Sequence, residues 1–197
     1  MYFLLLGIGV GMITLLPPGP VTIALVHLAS SAGRRPALRG ALGIASGDLA
    51  LAAPAVAIVA AGTALPDRLF TTLQFVSALA LVAIGALLLV APQLADASME
   101  NIRRPGRTMF LITALTPTVL GAWIAMLGAM PFADEPVHLL LFAGGVVLAS
   151  FLWHPFLGMA AASVGGALSA SARRRLSQTG GGLLAIIGFA LVAHSMW

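Results

Sequence analysis

Two ionisable residues stand deep inside apolar stretches of the chain and are the groups best placed to do chemistry. Asp48 lies in the run from about 38 to 64, and His154, within Trp153-His154-Pro155, lies in the run from about 137 to 164. At roughly 1.5 Å per helical residue, Asp48 falls near the middle of a spanning helix. An ionised carboxylate costs several kcal/mol at that depth unless it is partnered, so Asp48 should face the interior of a bundle and be protonated or paired. Acids in such positions mark ion or substrate pathways; the alternative is a protonated Asp held by a carbonyl of a broken helix. For His154 two readings stand side by side: a proton or substrate role, and a neutral imidazole on the carbonyl that Pro155 releases. His27 and His194, near span ends, and His138, at a span start, are expected at the membrane interface. Trp123 and Trp153 offer a face to an ammonium group, although aromatics in membrane helices more often pack or meet lipid.

A second set of residues concerns the backbone. Pro17, Pro18, Gly19 and Pro20 fall inside the apolar run from Tyr2 to Leu28. Three prolines in four residues remove three donors and bar helix at the preceding positions, so the first span must be broken there. Non-helical backbone survives at membrane depth only inside a bundle or along a wet cavity, so the break is a candidate site. Thr14 to Pro18 (Thr-Leu-Leu-Pro-Pro) aligns with Thr113 to Pro117 (Thr-Ala-Leu-Thr-Pro), each near the middle of the first span of its half. Thr116, Pro117 and Thr118 therefore join the candidate binding residues, because paired interruptions in two halves point to a transporter's midplane site. Pro20 suits the first turn of an inner half-helix, and Thr116 suits the cap of one starting at Pro117. Two helix N-termini converging on the midplane would suit a carboxylate.

Six helices must hold these groups in place. With 60% hydrophobic residues, 8% charged residues and a mean hydropathy of +1.05, the 197-residue chain has too little polar surface for a soluble globule. Spans can be drawn at about 2 to 28, 38 to 64, 69 to 91, 108 to 130, 137 to 164 and 179 to 196. The reading is an all-α membrane protein with six transmembrane helices, a 3+3 inverted repeat and broken first and fourth helices. It forms a single transmembrane domain over 1–197, with halves at about 1–95 and 105–197. Residues 1 to 16 lack a basic n-region and are expected to stay in the mature protein. Gly43 and Gly47, with Gly40 nearby, have the spacing that brings membrane helices close together beside Asp48.

Arg34, Arg35 and Arg39, then Arg103, Arg104 and Arg107, then Arg173, Arg174 and Arg175 place nine of the ten basic residues in or beside loops one, three and five. The positive-inside rule puts those loops in the cytoplasm and both termini outside. The arginines are thereby accounted for by topology and attraction to anionic lipid, rather than by nucleic acid. The chain has no cysteine, which excludes disulfide, thiolate-metal and dithiol chemistry.

The chain resembles the LysE/RhtB amino-acid exporters over nearly its whole length. The resemblance is carried by Pro18-Gly19-Pro20, Gly33-Arg34-Arg35 followed by Ala37-Leu38, Leu42-Gly43, Gly47-Asp48, and Arg175-Leu176 leading to Gly182, Leu184 and Gly188. It implies a small bacterial inner-membrane exporter of amino acids or related metabolites, driven by proton influx. Two features depart from the family pattern. Thr116-Pro117-Thr118 stands where the family often has Asn-Pro-Lys, so a lysine able to contact a carboxylate is missing, and the double proline Pro17-Pro18 is less usual.

The expected partners are an amino acid or analogue, protons and the bilayer, with a homodimer left open; no cofactor, resident metal, nucleic acid or enzymatic activity is expected. A divalent-metal exporter would need more oxygen or imidazole ligands at one depth than Asp48 and His154 supply. A lipid-handling or accessory membrane protein would use the same packing without a polar midplane site. Ser46-Gly47-Asp48 matches the end of the Gly-x-Gly-Asp motif of aspartyl membrane proteases, but that chemistry needs two carboxylates sharing a proton, and no second intramembrane acid is present.

Overall fold

The computed structural model describes residues 1–16, 20–61, 102–133, 135–165 and 170–195, together with nine positions between 72 and 90 that are all helical. Among these, the chain is entirely helical: α1 (Tyr2–Leu15), α2 (Pro20–Ala32), α3 (Arg34–Ala60), α4 (Pro105–Ala114), α5 (Pro117–Gly128), α6 (Pro136–Gly165) and α7 (Ala170–Ser195). Two of these helices, Arg34–Ala60 and Pro136–Val164, are long and apolar enough to cross a bilayer. Counted as one, the pair α4 and α5, bent by 56° at its break, is a third candidate span, and α1 and α2 are shorter apolar helices.

Both expected interruptions are present. The first span stops at Leu15 and resumes at Pro20, and the fourth stops at Ala114 and resumes at Pro117. Pro17, Pro18 and Gly19 themselves lie outside the described residues. Pro20 and Pro117 open their helices because a first-turn N–H has no intrahelical partner to lose. Thr116 occupies the cap position of α5, yet its hydroxyl donates back to the carbonyl of Ile112 instead of accepting from α5. The expected side-chain cap is therefore not made: the threonine closes the end of α4, as threonines do when their hydroxyls bond back four residues.

Two boundaries differ from the sequence reading. Arg34 and Arg35 form the first turn of α3, leaving Gly33 as the whole link to α2, and Arg173 to Arg175 lie inside α7 rather than in a loop. Arginine is a good helix former, so a helix can run beyond the apolar segment while its guanidinium groups stay wet.

The helices pack crosswise between the halves. α1 and α2 lie on α6, α4 and α5 lie on α3, and α3 and α6 pack against each other at the centre. Lipid tails supply no hydrophobic drive for helix pairing, so close approach through small residues has to do the work. Gly43 meets Gly106 backbone to backbone, and a Cβ on Gly43 would stand 2.9 Å from the Gly106 carbonyl carbon. Gly7 meets Phe142 and Gly145 in the same way, with a Cβ on Gly7 at 2.9 Å from the Phe142 carbonyl carbon. Gly85, in the third span, runs against Gly181 and Ala185 of α7.

Candidate functional site

Between two apolar clusters the bundle buries a polar one. On one side Val21, Leu25, Leu28, Ala41, Ile44 and Met109 pack together. On the other are Leu51, Ala55 and Val56 with Leu127, Phe142 and Val146. Asp48 lies on α3 between these groups, 8% exposed, with Ser150 at 1% and His154 at 2% on the facing side of α6.

The Ser150 hydroxyl donates to Asp48 Oδ2 at 2.6 Å and sits 2.9 Å from His154 Nδ1. The same Nδ1 lies 3.2 Å from the carbonyl oxygen of Ser150. A carbonyl only accepts, so Nδ1 carries the proton, and the chain of donors runs from His154 through Ser150 to Asp48. Trp123 of α5 also hydrogen-bonds the carboxyl through its side chain, and an indole can only donate. Asp48 is thus held by one hydroxyl and one N–H from two different helices.

This settles where the two deep groups look. Among the described residues, Asp48 faces inward onto side chains and not onto a broken-helix carbonyl. His154 takes the carbonyl and hydroxyl of Ser150, not the Phe151 carbonyl that Pro155 releases by lacking an N–H. Ser150 was not singled out in the sequence, because a lone serine in a membrane helix carries no signal until its partner across the bundle is known. Trp123 is buried at 4% exposure and serves the carboxyl as a donor. His27, expected at the interface, is buried at 8% exposure, because α2 turns that face toward the bundle. His138 does lie near a helix start, stacked on Phe3 at 3.9 Å and 2.6 Å from Glu135.

The two interruptions flank the cluster. Gly47, next to Asp48, passes so close to α4 that a Cβ there would lie 2.8 Å from Thr113 Cβ, one turn before the fourth-span break. Ala149, next to Ser150, lies against Gly11 of α1, one turn before the first-span break. Thr14 and Thr113 each donate their hydroxyl to a carbonyl of the preceding turn, at 3.0 Å in both cases. The C-terminal ends of α4 and α1 therefore lie against the helix turns that carry Asp48 and Ser150. Among the described residues, no third acid, histidine or cysteine joins Asp48 and His154 in a group able to hold a metal ion.

A multi-pass helical bundle with two interrupted spans around a buried polar centre defines a membrane transport protein. A family model of LysE type translocators matches residues 12–195, and the chain belongs to that family. It is a membrane protein that moves small molecules across the bilayer. No curated protein and no solved structure gives a significant match to the chain.

Proposed function

We propose that this translocator is a secondary transporter that exports amino acids or related small metabolites and couples efflux to proton influx. The observation that carries the reading is the hydrogen-bonded series His154–Ser150–Asp48, buried between α3 and α6 beside the ends of α1 and α4. A hydroxyl beside a carboxyl can reverse its bond: it donates to a carboxylate, or accepts from a carboxylic acid. Protonation of Asp48 therefore reverses the bond between Ser150 and Asp48. In an exporter the switch would follow which side of the membrane the cluster faces.

The substrate's carboxylate is assigned to the N-terminal ends of α2 and α5, at Pro17 to Pro20 and at Thr116 to Thr118, where helix dipoles present positive ends. The positive-inside distribution of arginines supports an inner-membrane protein with both termini outside.

Asp48→Asn tests the assignment cleanly. The carboxamide keeps the volume and still accepts from Trp123, and Ser150 can rotate to accept its N–H. Insertion and exchange of labelled amino acid at equal pH should persist, while uptake driven by a pH gradient into inverted vesicles should fall to background. Full gradient-driven uptake by the variant at matched protein level would remove Asp48 from coupling.

A further inference from the structure

Away from the polar centre, at the N-terminal ends of α3 and α4, the two helices enclose an open cleft of about 590 Å³. Four arginines contribute to its lining, Arg39, Arg103, Arg104 and Arg107. The rest of the lining is different in character. Gly43 and Gly106 let the backbones touch, while Leu42 of α3 and Phe110 of α4 form apolar walls. Leucines on the same two helices, Leu38, Leu42 and Leu49 on α3 and Leu111 and Leu115 on α4, are exposed.

We propose that this cleft binds an anionic phospholipid of the adjacent leaflet, with its phosphate among the four arginines and an acyl chain along the leucines of α3 and α4. Topology alone accounts for arginines in a loop; it does not account for their gathering around one cavity. Arg39 and the group Arg103 to Arg107 come from segments more than sixty residues apart, joined in space by the glycine crossing. Guanidinium groups suit phosphate oxygens because their planar donors bind in pairs. A free phosphate would use the arginines and leave the apolar walls without a role, whereas a phospholipid matches both parts. Basic pockets between transmembrane helices are the usual form of specific headgroup sites. An occupant there would tie α3 to α4, and so hold one interrupted span on the helix that carries Asp48.

Native mass spectrometry of the detergent-purified chain, titrated with dioleoyl phosphatidylglycerol, cardiolipin or dioleoyl phosphatidylcholine, tests the site. The anionic lipids should bind at least about tenfold more tightly than phosphatidylcholine. That preference should disappear in Arg103→Gln/Arg107→Gln, and fall in the single variant Arg39→Gln should the double variant not be recovered. The control Arg174→Gln/Arg175→Gln removes equal charge at α7, where both residues are exposed, and should keep the preference. Millimolar inorganic phosphate should not displace the lipid. Equal losses in cleft and control variants would reduce the effect to general charge attraction and overturn the proposal. Displacement by inorganic phosphate would overturn the lipid assignment in favour of a free anion.

Discussion

The contact of α3 with α4 and the contact of α6 with α1 are built to one plan. In each, a glycine on the long helix meets a glycine on the half-helix, Gly43 with Gly106 and Gly145 with Gly7. Four residues further along the long helix a second small residue, Gly47 or Ala149, lies against the half-helix within one turn of its interruption. The next residue is where the halves part: Asp48 in one and Ser150 in the other, bonded to each other at 2.6 Å. Matching packing around unmatched chemistry separates the two jobs of the bundle. The small residues set the distance between helices, and the one acid makes the centre titratable.

The largest expected effect comes from breaking the packing that the halves share. Gly43→Ala and Gly7→Ala each drive a methyl into the backbone of the opposing helix, which cannot yield as a side-chain tip can. Overpacking of this kind costs about 1–3 kcal/mol or more. Both variants should lower the melting temperature of the purified protein and its recovery as a monodisperse species, by similar amounts. Gly9→Ala and Gly128→Ala, where nothing lies within 4 Å, should be silent. If only one of the two crossings is sensitive, the halves are not equivalent in packing.

A smaller effect separates the unmatched positions. Ser150→Ala cuts the link between Asp48 and His154 but leaves the carboxyl its bond to Trp123 and the imidazole its backbone carbonyl. Loss of a buried partner costs about 1–3 kcal/mol, so gradient-driven transport should fall about tenfold, less than in Asp48→Asn. Ser150→Thr keeps the hydroxyl and should restore most of the rate. Equal rates in the Ala and Thr variants would show that the hydroxyl takes no part in coupling.

The legibility of these features in the sequence follows from how local each signal is. Proline acts on its own backbone, so the helix ends at Leu15 and Ala114 could be read from Pro17, Pro18, Pro20 and Pro117 without any knowledge of packing. Asp48 and His154 stood out because ionisable groups are rare at that depth. Ser150 and the donor role of Trp123 could not be read, since each depends on which face of α5 or α6 meets α3. The arginine cleft was hidden for the same reason: Arg39 and Arg103 to Arg107 each looked like topology markers until the Gly43–Gly106 crossing brought them together. Helix ends were misjudged at Arg34 and at Arg173 to Arg175, because hydropathy marks where the bilayer stops, not where the hydrogen-bond ladder stops.

The smallest effect concerns the links that lead into the two long helices. α3 is joined to α2 by Gly33 alone, whereas α6 follows α5 across the longer stretch 129–135. The carbonyls of Gly33 and Glu135 nevertheless do the same task, accepting the first helical bonds from Ala37 and Leu139. Gly33 achieves this within one residue by adopting φ 85° and ψ −171°, a region in which a side chain collides with its own backbone. Nothing stands within 4 Å of a Cβ at this position, so any penalty for Gly33→Ala comes from the backbone and not from crowding. The strain should amount to about 1–3 kcal/mol, shared between distortion of the link and fraying of the first turn of α3. Arg34 is the residue most exposed to such fraying, since its guanidinium donates to Ser163 Oγ at 3.2 Å and so ties the start of α3 to the end of α6. Hydrogen exchange at the first turn of α3 should therefore quicken in Gly33→Ala, while exchange around Asp48 stays as in the wild type. An unchanged first turn would mean that the link has slack, and that a single residue joins α2 to α3 without strain.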